Sequence, residues 1–392
     1  MKKYMTLKIL AVLLAAGTLS GCSGKNGDLK SGQETFSVVK NNRMQVKEEG
    51  IFYIDGYTER MMFYDFGLGE AIPICDRPNC GHNDSGCGAY FSQGYMSGMG
   101  CYQDKLYYYD NMDPKIPFYQ CEKSGGGRKR IASLNGDKAY GSLSVSLPMF
   151  FVEDTVCFGL TETRFLTEPV TKEDGTVKSE ECFFMIGKLN LEDGSFEIVK
   201  EREAYDHYEE GFEISDYADG RIFYSKRKYA KTRDSSAKNE IRAFDIKTGT
   251  DETLFEGKEE MGYLGSIRDE HKVFYVEEGH VYAVDAETKD TEIVFEKEAE
   301  EGKELDWLMG DGTIFVCSFP KGTGTAKGET FFSYDVNAKK ERRIEKEEYS
   351  YAPFLAATKD WYVASTELGM VCISKEAYTK KEWDKAQVIG FF

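Results

Sequence analysis

The amino-acid sequence predicts an all-β fold, a β-propeller, and three observations point to it. Aromatic residues are abundant in alternating runs, with 25 Tyr and 26 Phe, and strands favour such residues. The chain has 39 Gly but only 8 Pro, so its turns rest on Gly, Asp and Asn. Short apolar runs recur about every 50 residues, which is the length of a propeller blade. We therefore predict seven blades of four antiparallel strands each.

The repeat consists of an apolar run that follows a turn and of a hairpin behind it. The apolar runs lie at residues 51–54, 106–109, 155–158, 221–224, 272–275, 313–316 and 361–364. In the hairpin, Asn or Asp ends a strand, and Gly or a substitute takes the turn position with positive φ. This pattern stands at residues 188–194, 243–249, 283–289 and 333–339. An open β-solenoid or a two-domain β protein is the alternative, but the paired hairpins favour a closed ring.

The N-terminal segment predicts export and lipid attachment. Three lysines accompany an apolar run at 9–16, and Leu19-Ser20-Gly21-Cys22 follows. That is the order of a signal peptide, and the run is too short to span a bilayer permanently. We predict a signal peptide at 1–21, a lipidated Cys22 with a polar tether at 22–34, and one propeller domain at 35–392. An ordinary signal peptide that happens to contain a cysteine is the alternative.

Two resemblances refine this interpretation. Leu19-Ser20-Gly21-Cys22 resembles the bacterial lipobox, in which the cysteine is acylated and becomes the new N-terminus. Residues 40–392 loosely resemble bacterial propeller lipoproteins with TolB-like or pyrroloquinoline-quinone-type repeats. The resemblance implies a protein anchored by lipid to the extracytoplasmic face of the cell membrane. It implies no reaction, because one fold hosts many functions.

The charge of the chain argues against some partners. The formal net charge is −18, and cleavage after residue 21 would remove three lysines and no acidic residue. A field of this sign repels nucleic acid and anionic lipid head groups. We expect no nucleic-acid partner.

Residues 75–87 contain the one motif that predicts site chemistry. Cys75, Cys80, His82 and Cys87 lie within thirteen residues, and thiolates with an imidazole suit tetrahedral Zn²⁺. We predict a structural zinc site, because four protein ligands leave no open position for catalysis. The motif resembles a cysteine/histidine insert in propeller lipoproteins of anaerobic Firmicutes. A disulfide between two of the cysteines, or free thiols in a structural loop, remain open alternatives.

Other chemistry-bearing residues have structural interpretations. Most of the remaining cysteines fall inside apolar runs and are predicted to be small buried hydrophobic residues. They are Cys101, Cys121, Cys157, Cys182, Cys317 and Cys372. The acidic runs 296–304 and 345–348 are predicted to be solvated loops between blades. The glycine run 125–127 is predicted to be a turn between strands, because no helix follows it to form a phosphate site.

Long loops suggest where a partner would bind. Insertions at 161–181, 226–239 and 319–328 separate the second and third strands of three repeats, so they are expected on one face, together with the cysteine loop. Loops that converge on one rim are where scaffolds place recognition. The predicted contact residues are Tyr205, His207, Tyr208, Lys226, Arg227 and Tyr229.

The function we predict is a tethered binding module for a protein, peptide or glycan rather than an enzyme. No G-x-S-x-G, H-E-x-x-H or P-loop motif is present. The alternatives are a carbohydrate-active enzyme, either a polysaccharide lyase or a glycosidase, and a sensory or assembly accessory of the envelope. A glycosidase needs two converging carboxylates, which this acidic sequence does not single out.

Overall fold

The computed structural model describes residues 44–390 except 85, 91–96, 112, 136–141, 172–174, 176, 208, 229–237, 259–260, 268–270, 352–353 and 367–368. Within these residues, 28 strands form seven four-stranded antiparallel sheets. The predicted seven-bladed β-propeller is confirmed. The predicted signal peptide, Cys22 and the tether lie outside the described residues.

The first four blades each use four consecutive strands. Blade 1 contains β1 (Met44–Lys47), β2 (Gly50–Asp55), β3 (Arg60–Asp65) and β4 (Glu70–Pro73). Blade 2 contains β5 (Ser97–Tyr102), β6 (Lys105–Asp110), β7 (Pro117–Glu122) and β8 (Lys129–Ser133). Blade 3 contains β9 (Ser142–Val152), β10 (Thr155–Thr171), β11 (Val177–Asn190) and β12 (Phe196–Tyr205). Blade 4 contains β13 (Glu210–Ala218), β14 (Arg221–Lys228), β15 (Lys238–Asp245) and β16 (Asp251–Lys258).

The last three blades follow the same order and carry the short helices. Blade 5 contains β17 (Gly262–Ile267), β18 (Lys272–Glu277), β19 (His280–Asp285) and β20 (Thr291–Glu296). Blade 6 contains β21 (Lys303–Gly310), β22 (Thr313–Pro320), β23 (Thr330–Asp335) and β24 (Lys340–Ile344). Blade 7 contains β25 (Phe354–Ala357), β26 (Trp361–Thr366), β27 (Gly369–Ser374) and β28 (Gln387–Gly390). The helices are α1 (Lys346–Tyr349) and α2 (Lys375–Thr379), with 3₁₀ turns at Thr325–Lys327 and Trp383–Lys385.

The predicted hairpin between the third and fourth strands is confirmed as a repeated side-chain turn. Asp245 ends β15, and its Oδ1 accepts the N–H groups two and three residues further on, at 2.9 and 2.7 Å. Gly249 then takes a φ of 72°, which suits a residue without Cβ. The same acceptor in other blades is Asp65, Asn190, Asp285 or Asp335. In blades 5 and 6, Lys289 and Lys339 take the positive-φ position, at 64° and 50°.

The ring is built around its first strands. First strands of consecutive blades contact each other, so they line the centre, and the fourth strands are outermost. Blade 7 packs on blade 1 through a shared core in which Tyr53 and Val363 take part. Phe66 stacks on Trp361 with ring centroids 4.8 Å apart. All four strands of the seventh sheet come from its own chain segment, so side chains join the two blades.

Two expectations about connecting segments are corrected. Residues 161–181 are not simply a loop, because β10 and β11 extend through most of the segment as a paired hairpin. In the run 345–348, Glu348 is buried at 3% exposure instead of solvated. Its carboxylate accepts hydrogen bonds from Arg342 Nη1 at 2.9 Å and from the Tyr378 hydroxyl at 3.1 Å, which compensates the cost of burying the charge.

Among the described residues, no helix has the length and the apolar character that crossing a membrane requires.

Candidate metal centre

The structure brings the four predicted metal ligands together. One ligand atom from each of Cys75, Cys80, His82 and Cys87 lies within 4.8 Å of the others, and His82 Nδ1 is 3.3 Å from Cys87 Sγ. With Zn–S of about 2.3 Å and Zn–N of about 2.0 Å, the edges of a tetrahedral site measure about 3.5–3.8 Å. The donor set therefore has the composition and the spacing to bind one metal ion such as zinc.

The loop that carries these ligands begins and ends at one residue of blade 1. The Ile74 N–H donates to the Met61 carbonyl at 2.9 Å, and the Met61 N–H donates to the Ala89 carbonyl at 2.7 Å. Met61 belongs to β3 and is fully buried. The chain between these two bonds is thus a closed loop, and its cysteines are confined to a small volume.

Backbone bends inside the loop turn its side chains toward one another. Asn79 and His82 have φ values of 59° and 54°, in the left-handed region that costs a non-glycine residue about 1–2 kcal/mol. The Cys87 N–H donates to the Asp84 carbonyl at 3.0 Å and forms a tight turn. Such strain persists only where the surrounding structure holds it. The rest of the loop therefore fixes the backbone of His82 and the direction in which its side chain points.

Backbone donors stabilise negative charge on two of the sulfurs. Cys87 Sγ accepts the N–H of Ala89 at 3.3 Å. Cys75 Sγ accepts backbone N–H groups from Arg77 and Gly88. In both cases one donor lies two residues after the cysteine. Hydrogen bonds to a thiolate favour the ionised form that a metal requires.

The two cysteines differ in acidity. Burial acts to raise the pKa of Cys75, but the backbone donors and the Cys87 and Cys80 thiols lower it below its ordinary value. Burial, together with the two neighbouring thiols, raises the pKa of Cys87 to about 11. Cys75 is therefore the more acidic of the two thiols.

The loop also packs on the next blade. The turn between β7 and β8 contains Gly125, and a Cβ built there would lie 2.3 Å from the Ile74 carbonyl oxygen. A Cβ on Gly88 would lie 2.9 Å from the Gly125 carbonyl oxygen. The glycine run 125–127 is thus a turn between strands, as predicted, and its lack of side chains allows the two backbones to touch.

The pairing of blade 1 shows where the cysteine loop leaves the sheet. Pro73, the last residue of β4, pairs with Met62, close to Arg60 at the start of β3. Arg60 pairs with Asp55, the last residue of β2. The loop therefore leaves blade 1 beside the connection between its second and third strands, and it also contacts the β7–β8 turn of blade 2.

Four of the six predicted contact residues lie near the boundary of blades 3 and 4. They are Tyr205, His207, Lys226 and Arg227. Tyr205 and Lys226 both contact the Phe212 ring, with a centroid distance of 5.1 Å and an Nζ–centroid distance of 5.4 Å. Tyr208 and Tyr229 lie outside the described residues.

Three of these side chains pair with acidic neighbours. Lys226 Nζ lies 2.6 Å from a Glu203 carboxylate oxygen. Arg227 Nη2 lies 2.9 Å from Glu213, and His207 Nε2 lies 3.1 Å from Glu180 Oε1. These residues form part of the internal ion-pair pattern of the two blades.

The six strand cysteines are buried, as predicted. None of the described cysteines takes part in a disulfide. One strand cysteine has a polar partner that sequence reasoning missed, because Cys182 Sγ lies 3.5 Å from His207 Nδ1.

A cleft between blades 6 and 7 was also missed. Its volume is about 710 Å³. Aromatic side chains supply much of its wall, namely Phe331, Tyr349, Tyr351 and Trp383. Lys346 and Asp384 add charged groups. These residues come from a strand, from α1 and from two connecting segments, so no single sequence run marks the cleft.

No protein-family model matches the chain, and no curated protein matches it. Among solved structures, an oligogalacturonate lyase in complex with manganese is similar at 9% identity and a TM-score of 0.46, over 82% of this chain and 84% of that chain. A puromycin-hydrolyzing peptidase of Mycobacterium tuberculosis is similar at 11% identity and a TM-score of 0.49, over 87% of this chain and 52% of that chain. TolB from Acinetobacter baumannii is similar at 10% identity and a TM-score of 0.37, over 86% and 76%. Likeness at these identities assigns no activity to the chain.

Proposed function

We propose that this protein is a lipid-anchored, extracytoplasmic binding module whose first two blades are braced by a structural Zn²⁺. The observation that carries the proposal is the Cys75–Cys80–His82–Cys87 cluster, whose ligand atoms lie within 4.8 Å of one another. The charge of the bound ion would be balanced by thiolates that already accept backbone N–H groups.

A metal bound by these four donors would have a structural role. Zinc is usually four-coordinate in proteins, and catalytic sites keep one position for water or substrate. Three sulfurs and one nitrogen would fill all four positions. By closing the loop that starts and ends at Met61, the ion would also hold the backbone surface on which Gly125 of blade 2 rests.

The cleft between blades 6 and 7 supports ligand binding. Small-ligand sites have volumes of roughly 300–1,000 Å³ and combine apolar walls with a few polar groups. The cleft has about 710 Å³, aromatic walls, and Lys346 and Asp384 among its lining residues. A protein, peptide or glycan segment is of a size to enter it.

Lipid attachment is supported by the sequence alone. The lysines and the apolar run at 9–16 have the order of a signal peptide, and Leu19-Ser20-Gly21-Cys22 resembles the bacterial lipobox. A diacylglyceryl group on Cys22, with a further acyl chain such as palmitate on the new N-terminus, would hold the propeller at the membrane through residues 23–34.

Metal analysis tests the zinc site. We expect one zinc per chain by native mass spectrometry of protein purified under reducing conditions without a histidine tag. His82→Asn and Cys80→Ser should lose the zinc, and His280→Asn, which changes a surface histidine of blade 5, should retain it. A metal-free wild-type protein with two fewer titratable thiols would indicate a disulfide and overturn the zinc assignment.

Fractionation tests the anchor. Wild-type protein is expected in the membrane fraction, and Cys22→Ala, or inhibition of the lipoprotein signal peptidase, should release or mislocalise it. Retention of Cys22→Ala in the membrane fraction would contradict lipid attachment.

Titration tests the cleft. A panel of purified oligosaccharides and peptides is added to the protein, and tryptophan emission is recorded. We expect one ligand to change the emission and Trp383→Phe to remove that change. A ligand that binds Trp383→Phe with unaltered affinity would place binding elsewhere.

A further inference from the structure

Blade 3 contains a cysteine, a histidine and a glutamate in hydrogen-bonding order. Cys182 Sγ lies 3.5 Å from Nδ1 of His207, and Nε2 of the same ring lies 3.1 Å from Glu180 Oε1. The Thr163 hydroxyl lies 3.6 Å from the same sulfur. A thiol beside a base, with the base oriented by a carboxylate, is the arrangement that activates a nucleophile.

The register of the sheet produces this arrangement. Glu180 and Cys182 are two residues apart on β11, so their side chains point to the same face. Cys182 pairs with Tyr205 of β12, and His207 follows two residues later. Continued in register, the ladder would place His207 opposite Glu180. The imidazole therefore lies diagonally across from the thiol and directly beside the carboxylate.

The other strand cysteines lack this environment. The chain has four histidines. His82 belongs to the metal centre, His271 bonds to Asp219, and His280 lies 3.5 Å from Glu296. Burial raises the pKa of Cys157 and of Cys121 to about 12. Thiols of that kind are inert.

We propose that Cys182 is a nucleophilic modification site for small electrophiles, with His207 as its base and Glu180 as the residue that orients the imidazole. In the step, Sγ attacks an electrophilic carbon and an S–C bond forms. The bond to the leaving group breaks, and that group departs with the electron pair. The thiol proton moves to His207 Nδ1, and Glu180 compensates the imidazolium charge at Nε2.

Exposure restricts the size of the electrophile. Cys182 is only 4% exposed, whereas the side chains of His207 and Glu180 are 34% and 18% exposed. The sulfur is thus largely covered by its neighbours, and a bulky reagent would be excluded. A small uncharged electrophile is the class that fits.

Iodoacetamide labelling of the zinc-loaded full-length protein tests the proposal. The labelling rate of each cysteine is read at pH 7 by peptide mass spectrometry. Cys101 is the internal control, because it is 3% exposed and burial raises its pKa. We expect Cys182 to react on the order of a hundredfold faster than Cys101, the scale of general-base assistance. Equal rates at the two cysteines in the folded protein would overturn the proposal.

Variants separate activation from folding. His207→Ala should lower the Cys182 rate to near that of Cys101, and imidazole added to the buffer should restore part of it. Glu180→Gln should lower the rate less, and His280→Ala should leave it unchanged. An unaltered rate in His207→Ala would also refute the proposal. Circular dichroism checks that each variant is folded. The comparison of Cys182 with Cys101 in the wild-type protein does not depend on the variants.

Discussion

The Tyr53 hydroxyl donates a hydrogen bond to the carbonyl oxygen of Ile389, a residue 336 positions further along the chain. This bond joins β2 of the first blade to β28 of the last. It lies in the core that the two blades share, where burial raises the pKa of Tyr53 far above its ordinary value. Closure of the ring therefore depends on identifiable side chains.

Tyr53→Phe tests the contribution of this bond to closure. The variant keeps the aromatic side chain but leaves the buried carbonyl of Ile389 without this donor. We therefore expect a loss of about 1–2 kcal/mol in the free energy of unfolding. Urea denaturation measures it. Tyr57→Phe is the matched control, because Tyr57 is 85% exposed. Equal stability of both variants would show that closure does not depend on the bond.

The proposed zinc site predicts that metal removal loosens one blade boundary. A chelator is expected to increase hydrogen exchange at residues 74–90 and at the β7–β8 turn, because the loop backbone supports Gly125. Blades 4 and 5 should exchange as before. The stabilisation by bound metal would reach about 2.7 kcal/mol when free zinc is 100 times its dissociation constant. Exchange that rises uniformly over all blades would contradict a local brace.

The ion pairs between blades 3 and 4 predict a pH dependence. Glu203 accepts hydrogen bonds from Lys200 at 2.9 Å and from Lys226 at 2.6 Å. Burial acts to raise the pKa of Glu203, but the two lysines lower it below its ordinary value of 4.5. A depressed carboxyl pKa stabilises the fold above the unfolded value, and this stabilisation is lost as pH falls through the folded value.

Glu203→Gln should therefore cost most at neutral pH. We expect a loss of about 2 kcal/mol at pH 7, because Lys200 is only 8% exposed and keeps one carboxylate partner fewer. The difference from wild type should shrink as pH falls from 4.5, the ordinary pKa, through the lower pKa that Glu203 has in the folded protein. Urea denaturation at several pH values measures it, with the exposed Glu201→Gln as control. A difference that stays constant with pH would mean that the charge of Glu203 does not contribute.

The repeated hairpin predicts a stabilising substitution. Lys339 has a φ of 50° where Gly249 stands in blade 4. Lys339→Gly should raise the free energy of unfolding by about 1 kcal/mol, because glycine enters the left-handed region without strain. Gly249→Ala should lower it by a similar amount, since the position has open space around it and only the backbone is affected. Thermal denaturation should show a higher melting temperature for Lys339→Gly and a lower one for Gly249→Ala.

The propeller could be predicted because its signals are local and repeated. Each blade carries its own apolar run and Asx turn, so Asp245 and Gly249 show the hairpin without any knowledge of the tertiary structure. The four candidate metal ligands could also be predicted, since they are close in sequence. The lengths of the strands were harder to predict, because the pairing of β10 with β11 beyond residue 161 lacks a strong apolar pattern.

Contacts across sequence distance could not be predicted. The partner of the cysteine loop is Gly125, which lies some fifty residues after Ile74, and nothing in either segment specifies the other. The Cys182–His207 contact depends on the register between β11 and β12. Bulges in this ladder change that register. Glu348 has the same neighbours in sequence as exposed glutamates, and only the positions of Arg342 and Tyr378 explain its burial.

Each sheet of this ring is one uninterrupted chain segment. A circular permutant with new ends in the exposed β20–β21 connection, and with the old ends linked, would cut no hydrogen-bonded ladder. Insertion of a foreign domain at the same place would likewise leave every sheet complete. Each blade is thus a self-contained sheet, and side-chain packing holds it against its neighbours.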